Sequence, residues 1–277
     1  MTFDPERLGR SSQELAAKLR SLRKQAGLSG DRLAARCNMS QSKVSRIENG
    51  KVRPSLVDIE QILKALDAPP DLVAEVSALA RIANTEWRNL RDLRRKGLGT
   101  RQSELKALEA SSTEIRFFLL SMVTGLLATP EYVRASLAHS TADTRKAVAG
   151  KLERQAVLYD TSKTFRFLLT EQAVRWPVVS PLALAEQMDR LSSLTYLPNV
   201  RLGVIPVGAS TPTVPLNTFT VYDSSLATVE TSTGSLVLRD HQDIRSYLAD
   251  FSGYERCALF GYEARGKLSE WAAVCRS

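Results

Sequence analysis

The chain has 277 residues, a size that favours two domains or one large one over a single small core. Its 43% hydrophobic and 25% charged residues are the composition expected of a soluble globular protein. The longest mainly apolar run, residues 117–128, is too short to span a bilayer. The net charge of +8 is unevenly spread: residues 1–100 hold 19 Lys+Arg against 12 Asp+Glu, and residues 101–277 hold 19 against 18. The excess positive charge therefore sits in the first third and points to a polyanionic partner for that part.

Three scattered cysteines, Cys37, Cys257 and Cys275, make no disulfide framework. Only His139 and His241 stand beside them, so no Cys/His cluster has metal-ligand spacing, and neither metal nor cofactor is expected. The opening MTFDPERLGR lacks the apolar stretch of a signal peptide, so the chain is expected to be cytoplasmic, with no membrane partner.

In chain order, Ser11-Ser12 is read as the cap of a first helix running to about Ala26. Its buried face is Leu15, Leu19, Leu22 and Ala26, and Gly27 ends it. Ser29 caps a short second helix with Leu33 and Ala34 inward. Asn38 stands where the chain must turn sharply, and Asn is the non-glycine residue that best tolerates left-handed backbone. Ser40 caps a third helix that Asn49-Gly50 stops. After the loop 51–54, Ser55 caps a fourth helix with the stripe Leu56, Ile59, Leu63 and Leu66. Pro69-Pro70 opens a fifth helix, expected to reach Asn89 or beyond.

Two short helices joined by a tight turn inside a small bundle are a helix-turn-helix arrangement. Residues 12–66, through LRSLRKQAGLS, LAARCNMSQSKVSRIENG and RPSL, resemble the lambda-repressor/Cro-type (XRE) helix-turn-helix regulators. The resemblance implies double-stranded DNA as partner and a buried ion pair between Arg23 and Glu48. Two positions depart from the family pattern. Asn38 replaces the usual turn glycine, and Gly30 replaces a glutamine that in relatives helps to hold a phosphate.

On a helical wheel of residues 40–48, Val44 and Ile47 define the inward side, while Ser42, Ser45 and Arg46 fall opposite. Gln41 projects from the first turn. Small serines suit a helix that enters a groove about 12 Å wide; Gln pairs with adenine and Arg with guanine. Gln41, Ser42, Ser45 and Arg46 are therefore the expected base readers. Ser29, Lys43, Asn49, Lys51 and Arg53 are the expected phosphate contacts. A dimer is expected, because one such helix covers few base pairs.

Residues 81–108 are read as a basic helical linker between a helix-turn-helix domain (1–80) and a second domain (109–277). Arg81, Arg88, Arg91, Arg94, Arg95, Lys96 and Arg101 give it its charge. An arm along the DNA backbone and a face packed on the second domain are both open readings of this segment. From about residue 101 the pattern mixes strands (EIRFFLLSMV, KTFRFLLT, NVRLGVIPV, LNTFTVYD, SLATVET, GSLVLRD) with helices. The helices are one from Pro130, one of about twenty residues over TADTRKAVAGKLERQAVLYD, LALAEQMDRLSSLTYL, and a helical tail from His241. Asp223-Ser224 marks a hairpin turn. The expected fold is an all-α helix-turn-helix domain followed by an α/β or α+β domain with a central mixed sheet.

GLLATPEYVRASL, ERQAVL and NVRLGVIPVGA resemble the C-terminal domain of uncharacterised function, DUF5753-like, carried by many actinobacterial XRE-type regulators. That resemblance implies regulation, through a small-molecule effector or a small partner protein. An antitoxin-like protein whose DNA binding is autoregulatory is the alternative. No nucleophile elbow, dinucleotide fingerprint or P-loop is present, and His241 between Asp240 and Asp243 has no catalytic partner in a motif. No enzymatic activity is expected. The loop GASTPTVP, residues 208–215, is open to two readings, a lid or a plain surface connection.

Overall fold

A computed structural model describes residues 5–89, 98–138 and 144–277. The chain divides into two compact units, one of Met1–Trp87 with Leu236–Ile244, the other of Arg88–Ser235 with Arg245–Ser277.

The first unit is built on five helices: α1 (Pro5–Gln25), α2 (Gly30–Arg36), α3 (Gln41–Glu48), α4 (Leu56–Ala65) and α5 (Pro70–Asn84). One core joins them, with Leu15 and Leu19 of α1, Leu33 of α2, Val44 and Ile47 of α3, Ile59, Ile62 and Leu63 of α4, and Val76 and Ala80 of α5 all buried. Three of the expected caps are made by side chains. Ser29 accepts from Arg32 N, Ser40 from Lys43 N, and Ser55 from Asp58 N, the last closed into a capping box by Asp58. Asn38 has φ +53°, the left-handed turn between α2 and α3.

Two boundaries differ from expectation. The first helix starts at Pro5 and carries Ser11 and Ser12 inside it. Serine costs only a few tenths of a kcal/mol within a helix, and Pro5 is preset for the first turn, so the serine pair need not begin it. The fifth helix stops at Asn84, whose amide donates to Pro54 O at 3.0 Å, and strand β1 (Thr85–Asn89) follows. The segment read as one basic helical linker is thus a helix end, a strand and, from Leu98, helix α6 (Leu98–Ser111). Its residues 90–97, with Arg91, Arg94, Arg95 and Lys96, lie outside the described residues.

The region from Leu98 on is mixed α and β, Leu236–Ile244 within it belonging to the first unit. Its strands are β2 (Glu114–Leu119), β3 (Thr164–Thr170), β4 (Val200–Ile205), β5 (Phe219–Tyr222), β6 (Leu226–Thr231), β7 (Gly234–Leu238) and β8 (Leu259–Phe260). Six of them lie in the order β6-β5-β2-β3-β4-β8. β2, β3 and β4 are parallel, β5 runs antiparallel to β2, and β8 antiparallel to β4. The helices are α6, α7 (Pro130–Ser136), α8 (Arg145–Arg154), α9 (Glu171–Arg175), α10 (Pro181–Leu194), α11 (His241–Glu255) and α12 (Gly261–Arg276). The expected hairpin is present, with Asp223 at φ +52° between Tyr222 and Leu226.

Alternation along the strands sets the two faces. Phe117 and Phe167 stack at 4.8 Å on one side, while Phe118 meets Tyr254 of α11 at 4.4 Å on the other. On that second face Arg116, Arg166 and Arg201 stand directly opposite one another on three adjacent strands. Like charges in such a row destabilise a sheet unless paired. Glu114 bridges Arg116 and Arg166 at 2.6 and 2.8 Å, the second contact lying off the hydrogen-bond direction, and Glu255 bridges Arg166 and Arg201 at 3.2 and 3.4 Å.

Two helices are shorter than their sequence pattern. The twenty-residue helix is α8 followed by a 3-10 turn (Gln155–Tyr159), where the Gln155 amide donates to Gly125 O and Ala128 O, both at 2.8 Å. Residues 141–143 of that stretch lie outside the described residues. The helical tail is split by β8, which pairs Phe260 with Gly203. A Cβ on Gly203 would stand 2.5 Å from the Phe260 ring, so this close approach requires glycine.

Candidate nucleic-acid interface

α3 is held from three directions. Val44 and Ile47 sink into the core and fix its rotation. Ser40 closes its amino end. At its carboxyl end Glu48 forms a two-pronged ion pair with α1: Arg23 Nε donates to Glu48 Oε1 at 2.7 Å and Nη2 to Oε2 at 2.8 Å. Arg23 Nη1 also donates to Leu28 O at 2.7 Å, so one guanidinium joins α1, the α1–α2 turn and α3.

With the helix so fixed, the structure places Gln41, Ser42 and Arg46 exposed on its outer side and Ser45 half-exposed beside them. The four residues expected to read bases therefore share one accessible face. Gly30 adjoins it, since a Cβ there would lie 3.9 Å from Gln41 Nε2. A longer side chain at position 30 would touch Gln41; glycine leaves the Gln41 amide room to extend.

The residues expected to contact phosphate are less uniform. Ser29 is exposed and engaged as the cap of α2. Lys51 is exposed just after α3, and Arg53 is half-buried. Asn49 donates back to Ser45 O at 2.8 Å and Ser45 Oγ at 3.3 Å, which closes the end of α3. Lys43 Nζ lies 2.6 Å from Asp58 Oδ1, so this ammonium is shared with α4. Burial pushes the Asp58 carboxyl up, but Lys43 and the Ser55 bonds outweigh it and hold Asp58 below the usual carboxylate range. Sequence reading missed this acid. The Ser-x-x-Asp spacing marks Asp58 as a capping residue, but nothing local signals a lysine 15 positions away.

Away from α3, His241 is exposed at the first position of α11, and Asp240 Oδ1 accepts from Gln242 N at 2.8 Å. Among the described residues no group of three or more His, Cys, Asp or Glu is arranged to hold a metal ion. Among them, too, no helix is long and apolar enough to cross a membrane.

The arrangement defines a helix-turn-helix protein. Residues 14–76 match the family model described as a helix-turn-helix domain. Residues 102–270, more than half the chain, match the model described as a domain of unknown function, DUF5753, and the chain belongs to that family. No curated protein matches it. Three solved structures show a weak likeness to the chain. A phospholipase D family member, Nuc from Salmonella typhimurium, is 12% identical, with 58% of this chain and 90% of that one covered and a TM-score of 0.33. NucT from Helicobacter pylori is 8% identical, with 64% and 98% covered and a TM-score of 0.37. TrmBL2, an archaeal chromatin protein described as having a novel mode of DNA binding, is 10% identical, with 73% and 61% covered and a TM-score of 0.31. Likeness at this level bears on neither the site nor its chemistry.

Proposed function

We propose that the protein is a dimeric, sequence-specific transcriptional regulator of the XRE type, with no catalytic step of its own. α3 enters the major groove, and the second domain supplies dimerisation and the response to an effector or partner. The observation that carries this reading is the exposed set Gln41, Ser42 and Arg46 on a helix whose orientation is locked by buried contacts. A helix that only covered a core would not need the small serines. Arg46 fits guanine O6 and N7, and Gln41 fits adenine N6 and N7. Lys51 and Arg53, with the capped amino ends of α2 and α3, suit the phosphates on either side. A dimer sets two copies of α3 on half-sites about 34 Å apart.

Two substitutions separate reading from plain attraction. Arg46→Ala is expected to cost about 1–3 kcal/mol on the preferred site and to relax preference at one base pair. Lys51→Ala is expected to weaken all DNA alike and to lower the salt slope by about one unit. Fluorescence anisotropy on specific and random duplexes at several salt concentrations distinguishes them. Equal losses on both duplexes for Arg46→Ala would place that residue on the backbone rather than on a base.

A further inference from the structure

A cavity of about 190 Å³ opens at the carboxyl ends of the parallel strands, walled by Phe118, Ile205, Pro206, Pro215 and Tyr254. Open sheets with parallel strands characteristically take ligands at this end. The volume exceeds the roughly 150 Å³ of an apolar cavity that accepts benzene and falls short of the roughly 300 Å³ at which drug-sized sites begin. It therefore suits one ring rather than two.

The segment 206–217 between β4 and β5 forms a strap over it. The strap is held by side chains rather than by a core of its own. Glu171 Oε2 accepts from Val207 N at 2.9 Å, and Thr213 Oγ1 bonds to Tyr254 OH at 3.0 Å. Cys257 Sγ meets Ser210 O at 2.9 Å. Pro212 rests on Gly253, where a Cβ would come within 2.7 Å of the proline ring. Yet Val207, Val214 and Leu216 are each more than three-quarters exposed, apolar side chains left without cover on the strap.

Polar groups at the cavity are few and unequal. Thr170 Oγ1 is satisfied, donating to Leu120 O at 2.7 Å and accepting from Ala173 N at 3.1 Å. Glu171 is different. Each carboxylate oxygen holds one bond, to Arg175 and to Val207 N, and retains acceptor capacity. Burial works against its charge, but those two donors hold it below the usual carboxylate range. Its spare acceptors favour a hydrogen-bond donor, while the Arg175 guanidinium beside it balances its charge.

We propose that this cavity binds a small single-ring compound bearing a hydrogen-bond donor, the ring under the strap beside Ile205, Pro206 and Pro215 and the donor toward Glu171. This deepens the effector role proposed above and rests on that reading only for its consequence on DNA; the binding site rests on the cavity.

Saturation-transfer NMR on the full-length protein tests it, with 4-hydroxybenzyl alcohol as the donor-bearing compound and 4-methylanisole, of the same size, as the one without a donor. A ligand of about nine non-hydrogen atoms is expected to bind at about millimolar concentration. The donor-bearing compound should bind about ten-fold tighter than the other, and Glu171→Ala should abolish most of that preference. Ala209→Trp, which fills the cavity from its wall, should remove binding with the fold kept by circular dichroism. Should that variant unfold, Thr211→Trp fills the same space from the rim. No transfer to the wild-type chain, or undiminished transfer to a folded filled variant, overturns the proposal. Binding that leaves DNA affinity unchanged upholds the site and overturns its effector role.

Discussion

Replacing Glu48 by Ala is expected to destabilise the helical unit by about 3–5 kcal/mol, because it strands a desolvated guanidinium. Arg23 and Glu48 side chains are only 14% and 8% exposed, and two of the three bonds made by Arg23 go to this one carboxylate. The loss falls on the orientation of α3 as well as on stability. Thermal unfolding followed by far-ultraviolet circular dichroism, with hydrogen exchange resolved over α1 and α3, measures it. At about 4–8 °C per kcal/mol for a unit of this size, the helical transition should fall by more than 10 °C. Replacing both partners by methionine should cost far less than either single change, since a buried pair contributes little net stability over apolar groups. An unchanged transition for Glu48→Ala would mean that the pair does not hold α3. DNA affinity measured well below the melting point should fall only through the looser setting of α3, as Glu48 is buried and not itself a reader.

Glu109→Ala is expected to be as damaging in the second unit. Glu109 and Arg154 are 1% and 7% exposed at their side chains, the most deeply buried ion pair among the described residues. Arg154 Nε donates to Glu109 Oε2 at 3.0 Å, Nη2 reaches Oε1, and Nη1 donates to Gln102 Oε1 at 2.6 Å. The guanidinium thus staples α8 to two turns of α6. Beside it Gly150 lets the helices approach, since a Cβ there would stand 3.1 Å from Gln102 Cβ. Losing the carboxylate leaves Arg154 buried with one neutral partner, again a cost of about 3–5 kcal/mol. Hydrogen exchange should accelerate over α6 and α8 before the rest of the sheet. Protection of α6 equal to wild type would show that packing alone fixes these helices.

Neither pair follows from local sequence pattern, and that marks the division between what the sequence made legible and what it did not. The helical unit was readable because its signals are local. Ser29, Ser40 and Ser55 each accept from a backbone N–H three residues on, Asn38 turns the chain where it stands, and the apolar stripes repeat at helical spacing. Arg23 and Glu48 were paired only through the resemblance to a known family. Arg154 and Glu109, 45 positions apart, had no comparable guide. The strands of the second unit were visible as apolar runs, but their order is set by crossovers that no run encodes. β8 has two residues, too few for any alternation, and it appears only because Gly203 admits Phe260. The start of α1 was missed because a serine pair mimics a cap. The strap over the cavity was recognisable as an unusual loop, whereas its ties to Glu171, Tyr254 and Cys257 depend on tertiary placement.

On the interface, the outward set of α3 was readable from the wheel because Val44 and Ile47 fix its rotation. The restraint on Lys43 was not, because Asp58 arrives from the next helix. Lys43 therefore serves the α3–α4 junction, and Lys51 becomes the better single test of electrostatic attraction.

The first measurement to make is selection of binding sites from fragmented genomic DNA by the full-length protein at about 0.15 M salt, where distant surface charges are largely screened. The expected result is an enriched two-fold symmetric motif, its half-sites one helical turn apart and lost on Arg46→Ala. Retention of DNA without any enriched motif, by the full chain and by residues 1–100 alike, would contradict sequence reading by α3 and leave only charge attraction.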